Sequence, residues 1–213
     1  MEALRAAHAA RRTEIRARLR DFRCVWQTAS DSRLWEEMVY CIFTAGASAK
    51  MGLRSVDALR PLLESGKQKE MTRALVAAGA HRFPNARPEY VVVTRNYLRE
   101  SFSMRLRERL NSFPDANERR DWLAQDPRVK GLGYKESSHF LRNVGFKGYG
   151  ILDKHIVRCL CELKVIDSPK PPTSRGRYLE AENRMRQFAA DTGIDFDELD
   201  LLLWSTKTGE ILK

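Results

Sequence analysis

The stretch that decides the fold is Val129-Lys130-Gly131-Leu132-Gly133-Tyr134-Lys135-Glu136-Ser137-Ser138-His139-Phe140, followed by Gly148-Tyr149-Gly150-Ile151-Leu152-Asp153-Lys154-His155-Ile156. Two glycines one residue apart, ahead of a run that can form a helix, read as a tight turn between two helices. Such a turn leaves the first N–H groups of the second helix without intrahelical partners, and together with the helix dipole they can hold a phosphate. Gly131 and Gly133 are expected to supply positive φ and to remove the side chains that would block approach.

Lys135 is the unusual element of this hairpin. A cation in the first turn of a helix opposes the dipole, so the placement costs stability and asks for a reason. An uncharged lysine amine is a nucleophile for carbon centres, whereas a charged one simply meets a phosphate. Asp153 opens the next helix after the Gly148-Tyr149-Gly150 turn. Aspartate is a favoured N-cap, and capping and chemistry are compatible roles for one carboxylate.

Outward from the hairpin the pattern is helical throughout. Ala3 to Phe22 carries Leu4, Ile15, Leu19 and Phe22 at helical spacing, with arginines at 5, 11, 12, 16, 18 and 20 forming a cationic face, either solvated or in contact with phosphates. Ser32 reads as the cap of a buried helix bearing Leu34, Trp35, Met38, Val39, Ile42 and Phe43, with the small residues Thr44 to Ala49 continuing it. Further helices are expected at Ser55 to Leu63, Met71 to Ala80 and Pro88 to Phe102, the last absorbing the short alternating run Tyr90-Val91-Val92-Val93. Between the last two, the loop Gly79 to Asn85 sets Arg82 beside Phe83; this pair could wedge into a duplex from which a base has left, and Phe83 could equally anchor a core. Asp115 and Asp195 each stand three residues before a glutamate, the form of a capping box. The proline-rich segment Asp167 to Gly176 reads as an extended connector, and a helix from Tyr178 to about Asp191 stops at Gly193. The expected fold class is all-α: two helical lobes with a cleft between them, residues 1–50 plus 151–213 in one and 51–150, ending in the hairpin, in the other.

The chain has 213 residues, enough for one unit or two small lobes, and 38 Lys and Arg against 28 Asp and Glu give a net charge of +10. An excess spread along the chain suits a partner made of phosphates, although membrane-surface and merely soluble proteins share it. No signal-peptide layout and no run near the ~20 apolar residues of a membrane span is present, so a soluble intracellular protein of the cytoplasm or nucleoid is expected. Cys24, Cys41, Cys159 and Cys161 match no metal-binding spacing and read as buried free thiols.

The run Val129 to Lys135 with Leu152-Asp153-Lys154-His155-Ile156 resembles the helix-hairpin-helix and following aspartate of the DNA glycosylase superfamily that includes endonuclease III. Endonuclease III carries a C-terminal four-cysteine iron-sulfur cluster with no counterpart in this sequence. Trp204 to Lys213, with Gly131 to Gly145, Ala45 to Arg54 and Leu199 to Lys213, instead resembles the type 2 8-oxoguanine DNA glycosylases. The resemblance implies a bifunctional glycosylase and lyase acting as a monomer on double-stranded DNA containing 8-oxoguanine, with no metal and no cofactor. It places Lys135 as the Schiff-base lysine, Asp153 as the catalytic aspartate, Trp204 in the base pocket and Lys213 in recognition of the oxidised guanine. Gly131, Gly133, Arg82 and Phe83 would contact DNA. A non-catalytic helix-hairpin-helix module, or a glycosylase for another damaged base, are the alternatives.

Overall fold

The computed structural model describes residues 2–211, and Lys213 lies outside them. Among the described residues there are eleven α-helices, one 3-10 turn and no strand. The helices are α1 (Glu2–Thr28), α2 (Asp31–Thr44), α3 (Ala49–Leu59), α4 (Gln68–Ala77), α5 (Ala86–Phe102) and α6 (Leu106–Asn111), then α7 (Ala116–Gln125), α8 (Tyr134–Asn143), α9 (Lys154–Glu162), α10 (Arg175–Thr192) and α11 (Phe196–Thr208). No helix of the described residues is long and apolar enough to cross a membrane.

The chain divides into two units, residues 1–27 with 141–213 and residues 28–140. These boundaries differ from the 50 and 150 expected from the sequence, for reasons visible in the packing. In the second unit α2 lies against α3, α5 and α6, and ten of its residues from Leu34 to Thr44 are buried. Asp31 Oδ1, in the first turn of α2, accepts from the Arg107 backbone N–H at 2.7 Å, and the Arg107 guanidinium donates to the Ala29 carbonyl at 2.6 Å. Arg95, only 4 % exposed, donates to the carbonyls of Leu63 and Gly66 at 3.4 and 2.8 Å and closes the turn after α3.

In the first unit α1 is docked by its own cations. Arg5 donates to the Thr192 carbonyl at 3.1 Å and Arg11 to the Gly209 carbonyl at 2.9 Å, at the C-terminal ends of α10 and α11 where unpaired carbonyls favour positive charge. Arg16 and His8 both reach Glu198 at 2.6 Å. The cationic face of α1 is thus in part an internal fastening.

Local signals set most helix starts. Asp115 accepts from the N–H groups of Asn117 and Glu118, and Asp195 from those of Asp197 and Glu198. Gly193, at φ 69°, closes α10. Several starts differ from expectation: α4, α5 and α10 begin two or three residues before Met71, Pro88 and Tyr178, and two further helices have other caps. Ser30, rather than Ser32, caps α2 by accepting from Arg33 N–H. The small residues after Thr44 form a turn, and Ser48 caps a new helix at Ala49, earlier than the expected Ser55.

Candidate active site

The hairpin between α7 and α8 is fixed from beneath. Val129 and Leu132 are buried, and the Lys130 N–H donates to Thr94 Oγ1 at 2.8 Å. Asp126, at the end of α7, accepts from Arg128 N–H and Nε through Oδ1 and from Arg128 Nη2 and the Tyr97 hydroxyl through Oδ2, all at 2.8–2.9 Å. The Arg128 guanidinium holds the Asp126 carboxyl down at a pKa of about 2. The two glycines play different parts. Gly131 has φ 82°, and a Cβ there would stand 2.9 Å from Tyr90 Cδ2 and 3.1 Å from Ile42 Cγ2. Gly133 does not have positive φ, contrary to expectation; it is exposed, and a Cβ there would meet only the end of the Glu136 side chain at 3.3 Å. One glycine makes the turn, and the other keeps its outer surface bare.

Lys135 follows in the first turn of α8, with its side chain 25 % exposed and Nζ 3.2 Å from Glu136 Oε1. Beyond Glu136, α8 is buried from Ser137 through Asn143. Buried Ser138 accepts from Arg120 at 3.2 Å, and Tyr40 meets the edge of His139. The helix that carries Lys135 is therefore anchored by packing from Ser137 onward, while the Lys135 side chain at its start is half-buried.

Asp153 lies in the other unit, as the N-cap of α9. Its Oδ1 accepts from the N–H groups of His155 and Ile156, both at 2.8 Å. Among the described residues no hydrogen bond is recorded at Oδ2. One oxygen orients the carboxylate, and the capping role leaves the other oxygen available. Trp204 is half-buried on α11. Buried Asp200, one turn before it, accepts from Arg142 Nη1 at 2.5 Å and from the Ile151 N–H at 2.8 Å, and burial pushes its carboxyl up to about 6 against the opposing pull of Arg142.

Arg82 and Phe83 occupy the loop between α4 and α5. Phe83 is 43 % exposed, so it is no core anchor; the Arg82 guanidinium lies 4.7 Å from its ring centroid and donates to the Gly46 carbonyl. The residue that shapes this loop is His81, which sequence reasoning did not single out. Its Nδ1 accepts from the Phe83 N–H at 3.0 Å, which leaves Nε2–H to donate to the Phe43 carbonyl at 2.9 Å. That tautomer is the neutral ring, and burial pushes the imidazole's pKa down. A histidine between a glycine-ended helix and an exposed aromatic was the available signal.

Among the described residues no group of three or more His, Cys, Asp or Glu side chains is arranged to hold a metal ion. No disulfide joins the four cysteines, and Cys24 is exposed and Cys161 half-buried rather than buried as expected.

A lysine-bearing hairpin on an all-α scaffold and a capping aspartate on the following helix define a helix-hairpin-helix protein of the glycosylase type. The family model described as 8-oxoguanine DNA glycosylase matches residues 15–194. The 8-oxoguanine DNA glycosylase/AP lyase of Korarchaeum cryptofilum is 39% identical over 199 residues, covering 93% of this chain and 90% of that protein. Its counterpart from Fusobacterium nucleatum is 35% identical over 205 residues, covering 94% and 92%. The crystal structure of the Methanocaldococcus jannaschii 8-oxoguanine glycosylase/lyase in complex with a 15mer DNA containing 8-oxoguanine superposes with a TM-score of 0.88 at 31% identity, covering 100% of both chains. The chain belongs to the 8-oxoguanine DNA glycosylase family.

Proposed function

We propose that this protein is a bifunctional DNA glycosylase and AP lyase that removes 8-oxoguanine from double-stranded DNA and then cuts the strand, acting as a monomer in the cytoplasm or nucleoid. The observation that carries the reading is Lys135: a half-buried amine in the first turn of a buried helix, directly after a Gly-x-Gly hairpin, paired only with its neighbour Glu136 among the described residues.

The chemistry follows from these groups. The target base sits inside the stack, so the nucleotide must be flipped out, at a cost of a few kcal/mol. Phosphate contacts by the basic surface and by the N–H groups at the start of α8 offset that cost. Arg82 and Phe83 fill the space that the base vacates. Trp204 stacks on the extruded base, and Lys213 recognises its oxidised edge. The Lys135 amine attacks C1′ as the glycosidic bond breaks; the base leaves with the bonding electrons and is protonated. Asp153 stabilises the positive charge that develops on the sugar, or takes the proton released from Lys135. The C1′–O4′ bond of this adduct then breaks, O4′ taking a proton and leaving as the C4′ hydroxyl while C1′ and the Lys135 nitrogen form a protonated imine; the imine acidifies C2′–H, and loss of that proton expels the 3′ phosphate by β-elimination. Amine attack and elimination ask for no metal and no organic cofactor.

A panel of duplexes tests the substrate. Single-turnover cleavage should be fastest on 8-oxoguanine; equal rates on an oxidised pyrimidine or a mispaired adenine would overturn the choice of lesion.

A further inference from the structure

The segment that delivers Asp153 to α9 has no helix or strand to satisfy its backbone. From Gly148, at φ 81°, to Leu152 the chain is irregular and largely buried. Side chains of α10 and α11 take over its hydrogen bonds. Asp197 Oδ1 accepts from the Gly148 N–H at 2.9 Å, Glu182 Oε1 from Gly150 at 2.8 Å, Asp200 Oδ2 from Ile151 at 2.8 Å and the Tyr178 hydroxyl from Leu152 at 3.2 Å. The same hydroxyl donates to the Gly150 carbonyl at 2.7 Å, and Arg186 donates to the Gly148 carbonyl at 2.9 Å. The Asp153 N–H closes the series on the Ile151 carbonyl at 2.7 Å.

All four acceptors are nearly inaccessible: Tyr178 1%, Glu182 3%, Asp197 7% and Asp200 1% exposed. Burying three carboxyl groups and a phenol is unfavourable unless their partners matter, and packing alone would be met by apolar side chains. Among their partners are the N–H groups of Gly148, Gly150, Ile151 and Leu152, all on one strap that ends at Asp153. Tyr178 holds both sides of Ile151, through the Gly150 carbonyl and the Leu152 N–H, and so fixes the two peptides just ahead of the carboxylate. Gly150 is pressed between Phe196 and Glu182, where a Cβ would lie 3.2 Å from Phe196 Cζ.

We propose that Tyr178, seconded by Glu182 and Asp200, is a positioning residue for base excision that sets the orientation of the Asp153 carboxylate through this strap. The inference rests on the catalytic reading of Asp153. A misplacement of a reacting group by about 1 Å costs up to roughly a hundredfold in rate, so loss of the Tyr178 hydroxyl is expected to slow the chemical step about tenfold without altering how DNA is bound.

The test is a double-mutant cycle on the full chain. Tyr178→Phe, Asp153→Asn and the double variant are compared in single-turnover excision from an 8-oxoguanine duplex. The enzyme concentration at half-saturation is read in the same titrations, and helix content is verified by circular dichroism. The expected result is slower chemistry for Tyr178→Phe at unchanged half-saturation, and no further slowing when the substitution is added to Asp153→Asn. An equal slowing in both backgrounds, or none in the parent, overturns the proposal. A rate for Asp153→Asn equal to that of the parent overturns instead the reading of Asp153 on which it rests. A second pair guards against a folding effect: Glu182→Gln, which keeps an acceptor for the Gly150 N–H, retains the rate, and Glu182→Met, which lacks one, loses it. If Glu182→Gln and Glu182→Met behave alike, the strap hydrogen bonds do not set the rate.

Discussion

Alanine at position 131 and alanine at position 133 are chemically the same change two residues apart, and the hairpin predicts opposite consequences. At Gly131 the backbone has φ 82°, which costs an L residue about 1–2 kcal/mol. The new Cβ also stands 2.9 Å from Tyr90 and 3.1 Å from Ile42, and Ile42 is fully buried and cannot retreat. Relief falls to the half-buried Tyr90 ring, and overpacking of this kind adds about 1–3 kcal/mol. Gly131→Ala is therefore expected to lose about 2–5 kcal/mol, lowering the melting temperature by roughly 4–20 °C for a chain of this size. At Gly133 the φ is not positive and the only near atom is the far end of the Glu136 side chain, so stability is expected to change by less than about 1 kcal/mol. The methyl group instead covers the exposed backbone where a phosphate would approach the start of α8. Urea denaturation gives the stabilities, and titration of a duplex carrying a tetrahydrofuran abasic analogue gives the affinities. Gly133→Ala should bind at least several-fold more weakly at constant stability. Equal stability loss at both positions, or undiminished DNA affinity of Gly133→Ala, would refute the division of labour.

Other perturbations separate the remaining roles. Phe83→Ala, at a side chain 43 % exposed, should cost only about 1 kcal/mol of stability, while affinity for the abasic-analogue duplex falls roughly tenfold; unchanged affinity would remove the ring from the duplex. Asp126 has a carboxyl pKa depressed to about 2 by Arg128, so the stability it contributes is full above its unfolded pKa near 3.8 and disappears as pH falls toward 2. Asp126→Asn should therefore be less stable than the parent at pH 7, by about 1–2 kcal/mol given the exposure of Arg128, and the two denaturation curves should converge near pH 2; a difference independent of pH contradicts the assignment. Lys213→Ala should slow excision of 8-oxoguanine more than cleavage at a preformed abasic site, and equal losses would remove Lys213 from base recognition.

The features legible in the sequence are those written locally. Asp115, Asp153 and Asp195 each accept from N–H groups two and three residues onward, so type and spacing suffice to find them. The 3.6-residue stripe of α2 and the helical reading of Tyr90 to Val93 within α5 follow from periodicity. Where the chain turns without a signature, the reading slipped. Gly46, at φ 68°, turns the chain within the run of small residues read as a continuation of α2, and α6 begins after Ser103 and Met104, both at positive φ without being glycine. The limits of the two units depend on Arg107 reaching Ala29 and Arg16 reaching Glu198, partners 78 and 182 residues apart. The strap before Asp153 is of the same kind, since its hydrogen-bond partners lie 26 to 49 residues away. His81 escaped notice because its work is done by contact with Phe43, on another helix.

The proposed chemistry turns on one bond, between the Lys135 amine and the deoxyribose. Incubation with a labelled 8-oxoguanine duplex in the presence of sodium borohydride, which reduces an imine to a stable amine, reports that bond directly on a denaturing gel. The parent protein should yield a covalent protein–DNA band that maps to Lys135, and Lys135→Gln should yield none while still binding the duplex. A band of undiminished intensity from Lys135→Gln would contradict the account.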